Sequence, residues 1–263
     1  MRITGANVLL TGATGGIGHA LARRLAAEGA RLVVTGRNAD ALEGMGAALG
    51  ARAVAADLSD PRAVRGLAQR CGPVDVLIAN AALPASGDLL EYDEEEIDRA
   101  LAVNLRAPIA LARALVPHMA EAGRGHLAFV GSLSGKTAAP QSCLYTATKF
   151  GLRGFAHALR QDLRGRGVGV SHIQPGFVAE AGMFAATGAP VPGGVRTVTP
   201  ERVAEAVVRA VRTDLAEVSV APPALRLRCA LQGQFPGLAD RRRPSAADRE
   251  AIRRITEAQR SLR

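Results

Sequence analysis

Tyr145 and Lys149 are the residues of this sequence whose types and spacing most directly suggest chemistry. The chain has only two tyrosines and two lysines, and one of each lies in the stretch LYTATKFG. This stretch is expected to be helical, so the i, i+4 spacing places both side chains on one face, about 5 to 6 Å apart. A phenol has a pKa near 10 and is a poor acid or base at neutral pH, but a nearby ammonium group favours the phenolate. The pair is a candidate proton donor and acceptor, with Lys149 lowering the pKa of Tyr145.

Ser132 is a further hydroxyl that can join this pair. It follows a strand predicted at residues 126–131 and so lies at the carboxyl end of that strand. From there it can hydrogen-bond a substrate oxygen beside the phenol. A serine at this position would by itself be interpreted as an ordinary loop residue. Ser132 is a candidate catalytic residue because Tyr145 and Lys149 are also present.

Alternating strand and helix patterns that can position these residues run from the start of the chain to about residue 222. Short β-branched or leucine-rich runs predict seven strands, at residues 8–11, 32–35, 53–56, 76–80, 126–131, 170–174 and 218–221. Alanine-rich helical stretches separate them, and capping residues mark three helix starts, at Asp60, Asp93 and Thr199. This alternation is typical of an α/β fold with a Rossmann-like, doubly wound, seven-stranded parallel sheet flanked by helices.

The segment TGATGGIG, residues 11–18, joins the first strand to the first helix. Gly12, Gly16 and Gly18 allow a tight turn and a close approach to a pyrophosphate, whose charge is favoured by the free N–H groups at the start of the helix. A glycine-rich turn alone can serve plain strand-to-helix geometry. With a strand before it, a helix after it and a crevice at the carboxyl end of the first strand, dinucleotide binding is the favoured interpretation.

The end of the second strand indicates which dinucleotide binds. An acidic residue there holds a ribose 2′-hydroxyl, whereas an arginine accommodates a 2′-phosphate. The sequence VVTGRNAD places Arg37 at this point and Asp40 farther on, in the next helix. NADP is therefore favoured over NAD, the alternative being that Arg37 is one surface arginine among many. Asp57, after the third strand, either meets the adenine or caps the following helix, and these two interpretations are about even.

Two segments depart from the alternation. Residues 177–198 are rich in Gly, Pro and Ala without a sustained period, which indicates a long loop with one short helix, and such loops are usually functional lids or disordered. Residues 223–263 contain two helical patterns, the second with Ser245 as N-cap and with Ile252, Ile255 and Leu262 at helical spacing. We expect residues 1–222 to form the nucleotide-binding domain, and residues 223–263 to form a basic helical extension appended to it.

The charge of the chain is concentrated in that extension. The 263 residues have a net charge of +9 and are 48% hydrophobic, enough for a large core. Ten arginines and four acidic residues give residues 223–263 a net charge of +6. A solvated basic helix is favoured over a nucleic-acid site, because Phe235 is the extension's only aromatic residue.

Composition also bears on location and metal binding. No apolar run reaches the roughly 18 residues of a membrane helix. The three cysteines are far apart, and the five histidines lack metal-binding spacing. We therefore expect neither a disulfide framework nor a metal site, and a cytoplasmic location.

Together these motifs resemble those of the short-chain dehydrogenases/reductases (SDR) in their compact single-domain form. The resemblance covers about residues 4–222 and consists of TGATGGIG, Asp57, ANAA at residues 79–82, Asn104, Ser132, YTATK, and PGFV at residues 175–178. It implies an enzyme, an oxidoreductase acting on CH–OH groups with NAD(P). The implied reaction is hydride transfer between C4 of a nicotinamide and a carbonyl or alcohol carbon.

The resemblance also implies a role for each site residue. Tyr145 would be the general acid or base, and Ser132 would orient and polarise the substrate oxygen. Lys149 would lower the tyrosine pKa and hold the nicotinamide ribose, and Asn104 would sustain a water-linked proton relay. The residues expected to contact the cofactor are Gly12, Thr14, Gly16, Ile17, Gly18, Arg37, Asp57, Leu58, Asn80, Ala81, Tyr145, Lys149, Pro175, Gly176 and Val178.

Two positions depart from the family pattern. The usual Asn-Asn-Ala-Gly is ANAA here, which keeps Asn80 but has Ala82 in place of glycine. After Pro175 and Gly176 the family often has a threonine that holds the nicotinamide carboxamide, and here Glu180 occupies its place. Its carboxylate either accepts from that amide or points to solvent.

The sequence therefore predicts an NADP(H)-dependent oxidoreductase for a carbonyl or secondary alcohol of a moderately sized apolar substrate, as Phe177, Met183 and Phe184 of the loop suggest. The runner-up is a 3-ketoacyl-carrier-protein reductase, since a basic surface suits an acidic partner. The third interpretation is a non-catalytic NADP-binding sensor or scaffold. The expected partners are a small-molecule substrate and further copies of the chain in a homodimer or homotetramer, without nucleic acid or a membrane.

Overall fold

Seven parallel strands form a single sheet in the computed structural model of this chain, which describes residues 1–237 and 245–260. They are β1 (Asn7–Thr11), β2 (Arg31–Gly36), β3 (Arg52–Ala55), β4 (Val76–Ala79), β5 (Gly125–Val130), β6 (Val168–Pro175) and β7 (Glu217–Val220). Their order is β3-β2-β1-β4-β5-β6-β7. The predicted fold class is confirmed, and each strand end differs from its prediction by at most two residues. Because the winding direction reverses between β1 and β4, a crevice opens at the carboxyl ends of these two strands.

The helices of the described residues cover both faces of this sheet. They are α1 (Gly16–Ala27), α2 (Ala39–Leu49), α3 (Pro61–Arg70), α4 (Glu94–Leu101), α5 (Ala107–Glu121), α6 (Cys143–Asp162), α7 (Pro200–Thr213), α8 (Pro223–Gln234) and α9 (Ala246–Arg260). Asp60, Asp93 and Thr199 are the N-caps of α3, α4 and α7, and each accepts a hydrogen bond from a backbone N–H two or three residues on. The three predicted helix starts are confirmed.

Two apolar layers lie between the helices and the sheet. Helices α1, α2 and α7 pack on one face, and α3, α5 and α6 pack on the other. Successive residues of a strand enter opposite layers, as Leu10 does in the first and Leu9 in the second, both fully buried. A sheet buried on both faces needs near-continuous apolar strands, which explains why the sequence marks them so clearly.

A π-helical turn, Ala102–Arg106, joins α4 to α5 in one continuous helical run. The run Glu94–Glu121 is long and apolar enough to cross a membrane by composition, with a mean hydropathy of 1.3, but 44% of its apolar window is buried in the molecule. A buried core helix can have the same length and apolar composition, so this result is weak evidence for a membrane span. The π turn presents Asn104 toward the sheet edge, and such turns occur frequently at functional sites.

The loop 177–198 and the two C-terminal helices pack together over the carboxyl edge. The loop contains two 3₁₀ turns, Ala185–Thr187 and Pro192–Gly194, where one short helix was predicted, and an isolated parallel bridge joins Val178 to Val198. Helix α9 contacts both turns.

The extension begins as the sequence predicts, but it is not an appendage to the fold. Ser245 accepts a hydrogen bond from the Asp248 backbone N–H (3.0 Å), which confirms it as the N-cap of α9. Leu225 and Cys229 of α8 pack against Leu133, directly beyond β5. Residues 238–244 and 261–263, with the predicted Leu262, lie outside the described residues.

Candidate active site

The glycine-rich turn packs so closely that Gly12 and Gly18 leave no room for a side chain. Gly12 has a φ of +64°, and a Cβ there would lie 2.7 Å from the Cα of Ala81. A Cβ on Gly18 would lie 2.0 Å from the carbonyl oxygen of Gly12. Both distances are shorter than real Cβ contacts, so glycine is required for a tight turn and for close helix packing.

Asn80 connects the glycine-rich turn to the end of β4 through hydrogen bonds. Its Nδ2 donates to the carbonyl oxygens of Thr11 (3.2 Å) and Gly12 (3.1 Å). The Thr11 hydroxyl in turn accepts from the backbone N–H groups of Asn80 and Ala81, both at 3.0 Å. The asparagine that ANAA keeps therefore shapes the crevice between β1 and β4.

The start of α1 fits the pyrophosphate of a dinucleotide. Gly15 is its N-cap, no side chain caps the helix, and its first turn has no acidic residue. The backbone N–H groups and the positive end of the helix dipole therefore face the crevice without a competing carboxylate. Thr14 and Ile17 belong to the same turn, and a Cβ on Gly36 at the end of β2 would lie 3.3 Å from the Thr14 hydroxyl.

The outer end of the crevice is formed by the ends of β2 and β3. Arg37 is exposed immediately after β2, and Leu58 is buried. Asp57 accepts from the backbone N–H (2.9 Å) and the hydroxyl (2.8 Å) of Ser59. Burial raises the pKa of Asp57, but these hydrogen bonds, with Arg37 and Arg99, outweigh it and hold the pKa below its usual value. Because Asp60 caps α3, the interpretation of Asp57 as the helix cap is wrong.

Tyr145, Ser132 and Lys149 meet at the carboxyl edge beyond β5. Tyr145 lies in the first turn of α6, and the Lys149 Nζ is 5.4 Å from its ring centroid. The Ser132 side chain lies close enough to the Tyr145 side chain to lower its pKa, and the Lys149 Nζ donates to the Val130 carbonyl oxygen at 3.4 Å. A Cβ on Gly135 would lie 2.7 Å from the Lys149 carbonyl oxygen. This glycine allows the Ser132 loop to approach α6.

Burial controls the protonation of this pair. It raises the pKa of Tyr145 to about 12, although the residue remains accessible from the pocket, and the Ser132 side chain opposes this rise. It also lowers the pKa of Lys149 to about 8. Burial therefore dominates the pKa of Tyr145 in the protein chain. The lowering of this pKa by Lys149 stays a prediction.

Asn104 lies on the π turn with its amide satisfied by one backbone segment. Its Oδ1 accepts from the Leu83 N–H (2.7 Å), and its Nδ2 donates to the Leu83 carbonyl oxygen (3.0 Å). The side chain thus positions the segment after Asn80. Its role in a water-linked relay stays a prediction.

The loop beyond β6 closes the site from the other side. Gly176 donates to the Val220 carbonyl oxygen (3.0 Å), and Val178 is buried. Glu180 is exposed with a φ of +66°, and its contact with the nicotinamide carboxamide stays a prediction. A Cβ on Gly16 would lie 2.3 Å from the Ala181 Cβ, which shows that the loop reaches the glycine-rich turn.

These elements enclose a pocket of about 450 Å³. Tyr145, Ser132 and Lys149 lie along it with apolar side chains of the loop, and α8 and α9 complete its wall. A larger depression of about 750 Å³ lies at the opposite edge of the sheet, where none of the predicted site residues is found. Ligands of open parallel sheets bind outside the carboxyl ends of the strands, so the smaller pocket is the candidate active site.

Within the described residues, no group of three His, Cys, Asp or Glu side chains could hold a metal ion.

Comparison with known proteins identifies this arrangement. The model of the short chain dehydrogenase family matches residues 6–191. The chain belongs to the short-chain dehydrogenase/reductase family. A ketoacyl reductase of Nostoc sp., HetN, is 37% identical to this SDR over 227 residues, which cover 83% of this chain and 79% of that protein.

Two solved structures are also similar to this SDR. A metagenomic short-chain oxidoreductase in complex with NADP is 32% identical, with a TM-score of 0.72, and the match covers 84% of this chain and 99% of that one. A 3-ketoacyl-(acyl-carrier-protein) reductase from Brucella melitensis in complex with NADH is 27% identical, with a TM-score of 0.74, and the match covers 83% and 97% of the two chains. This SDR is thus an oxidoreductase that uses a nicotinamide dinucleotide and acts on small molecules.

An ion cluster behind the catalytic residues was missed by the sequence analysis. Glu217, the first residue of β7, accepts from Lys136 Nζ (2.6 Å), Arg153 Nε (2.7 Å) and Gln174 Nε2 (3.0 Å), and contacts His157 Nε2 (2.9 Å). Burial raises the pKa of Glu217, but the hydrogen bonds of these partners outweigh it and lower the pKa to about 2. The five residues are scattered over β7, α6, β6 and the loop after β5, so no local pattern indicates the cluster.

Proposed function

We propose that this SDR reduces the carbonyl group of an apolar small molecule to a secondary alcohol with NADPH. The observation that supports this most directly is the contact of Ser132, Tyr145 and Lys149 in a pocket at the carboxyl edge of the sheet. A phenol with a pKa raised to about 12 is protonated at neutral pH. It can therefore donate the proton that reduction of a carbonyl group needs.

Each of these residues has a role that follows from its place. The bound nicotinamide supplies a hydride to the carbonyl carbon. Tyr145 donates its proton to the carbonyl oxygen, and Ser132 donates a hydrogen bond to the same oxygen. Lys149 stabilises the phenolate that remains until a proton returns from solvent. The route of that proton past Asn104 is part of the proposal.

NADPH is proposed over NADH because of Arg37. Its exposed guanidinium follows β2, where a ribose 2′-phosphate is recognised, and the preceding strand ends in Gly36 without an acidic residue. Thr14, Ile17, Leu58 and the residues Pro175 to Val178 complete the proposed cofactor contacts. The NADP complex of the metagenomic relative agrees with this choice, whereas the NADH complex of the Brucella protein shows that the fold alone does not decide it.

A second candidate is the reduction of a ketoacyl group bound to a carrier protein. The similarity to HetN and to the Brucella reductase favours it. The position of α9 over the pocket, where Ile252 and Ile255 line the wall, favours a free small molecule instead. We propose the free molecule as substrate, a cytoplasmic location, and assembly as a homodimer or homotetramer.

The test is NADPH oxidation with a panel of ketones, in the native enzyme and in Tyr145→Phe. The native enzyme is expected to turn over at least one ketone. The variant should bind NADPH with nearly unchanged affinity in a fluorescence titration and lose turnover by about a thousandfold or more, as loss of a positioned acid predicts. Turnover retained by the variant would remove Tyr145 from its role. NADPH binding by the native enzyme without turnover of any ketone would favour the sensor or scaffold.

A further inference from the structure

The active-site pocket has few charged groups, and all but one of them have an evident use. Among the described residues the charged side chains along its wall are Lys149, Asp248 and Arg228. Lys149 adjoins the catalytic tyrosine. Asp248 begins α9, where its carboxylate accepts from the backbone N–H groups of Gly193 (2.6 Å) and Ser245 (3.2 Å). Asp248 thus holds α9 to the loop, and Arg228 is left without such a use.

Arg228 lies on α8, close to the catalytic loop. Its neighbour Cys229 packs with Leu225 against Leu133, the residue after Ser132. The Arg228 Nη1 approaches the opposite side of the pocket, 3.8 Å from the point that a Cβ on Gly193 would occupy. The guanidinium therefore lies between the catalytic loop and the loop that covers it.

Arg228 is half-buried, and its guanidinium has no protein acceptor among the described residues. Within residues 1–237 and 245–260 it forms no ion pair and no hydrogen bond, and Asp248, the pocket's acidic residue among these, binds backbone N–H groups. A partly desolvated guanidinium without an acceptor is unfavourable. Its planar fork of donors matches a carboxylate in a bidentate pair.

The rest of the wall indicates what kind of molecule would bring this carboxylate. Phe177, Met183 and Phe184 of the loop are apolar, and so are Ile252 and Ile255 of α9. The α9 residues that line the pocket are 248, 252, 255, 256 and 259, the spacing of a single helix face. One side of α9 therefore covers the pocket along its length, which favours a substrate that enters whole over one tethered to a carrier.

We propose that Arg228 binds the carboxylate of a free keto acid whose carbonyl group is reduced at Tyr145. This inference rests on the proposed carbonyl reduction and names its substrate class. The hydrocarbon chain between the two groups lies against the apolar wall. The carboxylate takes no part in the chemistry, and the product is the corresponding hydroxy acid.

The experiment compares keto acids with their methyl esters, from acetoacetate and levulinate upward in chain length, at saturating NADPH. The enzymes are native, Arg228→Gln, and Arg226→Gln as a matched control on the exposed side of the same helix. The native enzyme should prefer an acid over its ester in kcat/KM. Arg228→Gln should lose roughly 10- to 100-fold in kcat/KM for the acid, mainly through KM, and change little for the ester, since one charge-assisted pair is lost. Arg226→Gln should behave as native.

Three results would overturn the assignment. One is equal use of acid and ester by the native enzyme. Another is an equal loss on both substrates in Arg228→Gln that Asp248→Asn reproduces, which would make Arg228 part of the attachment of α9. The third is a preference for ketoacyl phosphopantetheine over the unphosphorylated thioester that disappears in Arg228→Gln, which would assign the guanidinium to a carrier phosphate.

Calorimetric binding in the Tyr145→Phe background separates this inference from the proposed function. If the native enzyme reduces nothing in the panel, but a keto acid binds the NADPH complex of Tyr145→Phe and no longer binds after Arg228→Gln is added, the carboxylate site stands and the proposed reaction fails. If the native enzyme reduces ketones without any preference for acids, the reaction stands and the carboxylate site is refuted.

Discussion

At the scale of single residues, burial and not spacing decides how this SDR site is protonated. The i, i+4 relation of Tyr145 and Lys149 is present in α6, yet burial moves the two pKa values to about 12 and about 8. Both shifts favour the neutral form of each group. A site that holds a charged lysine at neutral pH therefore does so at a cost in folding free energy.

The two lysines of the chain allow a direct test of that cost. Because the pKa of Lys149 falls from 10.5 in the unfolded chain to about 8, the folded state binds fewer protons between these pH values. The penalty for burying its charge is full below about pH 8 and disappears above the unfolded pKa. Lys149→Met should raise the free energy of unfolding by roughly 3 kcal/mol at pH 7, and by less at pH 10, while abolishing activity.

Lys136→Met is the matched control, because this lysine forms an ion pair with Glu217 at 2.6 Å. The same substitution should destabilise the protein there. Urea unfolding at both pH values measures the two changes. A loss of stability in Lys149→Met at pH 7 would contradict the account.

Arg37 decides the cofactor in our proposal, and its test is at the same scale. Arg37→Ala should weaken NADPH binding roughly 10- to 100-fold and leave NADH nearly unchanged, because only NADPH has the 2′-phosphate that pairs with a guanidinium. Fluorescence titration with both cofactors measures this. Arg31→Ala, at the other end of β2, is the control and should affect neither. An equal loss for both cofactors would refute the 2′-phosphate assignment.

At the scale of elements, Glu217 joins the segments that hold the catalytic groups. Lys136 follows Ser132 in the same loop, Arg153 lies one helical turn beyond Lys149 on α6, and Gln174 precedes Pro175. All of them bind one carboxylate at the start of β7. The cluster therefore fixes these segments relative to one another, which no single element does.

Glu217→Gln should remove about 2 kcal/mol of stability at pH 7, less than for a fully buried pair because Arg153 is partly exposed. The folded pKa of about 2 lies below the ordinary value of 4.5, so the stabilisation by this carboxylate is present above pH 4.5. It is lost as the pH falls toward 2. The difference in unfolding free energy between native and variant should shrink over that range. Urea unfolding from pH 7 to pH 3 checks this, and a difference that does not change with pH would contradict it.

At the scale of the whole molecule, the C-terminal helices belong to the same packed unit as the sheet. Helix α9 lies on the loop over the pocket, and Arg260 at its end lies 3.8 Å from Glu91. Arg253 and Arg254 pair with Glu250 within the helix. These ion pairs balance part of the positive charge of α9, whose arginines are exposed to solvent.

One cooperative unit predicts one thermal transition that the cofactor shifts as a whole. NADPH at a hundred times its dissociation constant adds about 2.7 kcal/mol, which corresponds to roughly 5 to 10 °C in Tm for a domain of this size. Differential scanning calorimetry with and without NADPH measures it. A second transition that NADPH does not move would show that the extension unfolds on its own.

The sequence by itself determined the sheet with its seven strands, the glycine-rich turn and the set of Ser132, Tyr145 and Lys149. Each of these depends on local features: apolar runs, helix caps, and spacings within one turn of a helix or one strand end. The family motifs depend on the same local order, which is why they could be recognised without coordinates.

The tertiary structure alone decided how those residues are surrounded. The partners of Glu217, the cover that α8 and α9 place over the pocket, and the position of Arg228 depend on contacts between segments far apart in the chain. The protonation of Tyr145 depends on burial by such segments. Contacts between distant segments cannot be recognised from sequence periodicity. A polar residue that makes such a contact and one that is exposed to solvent can occupy the same local sequence pattern.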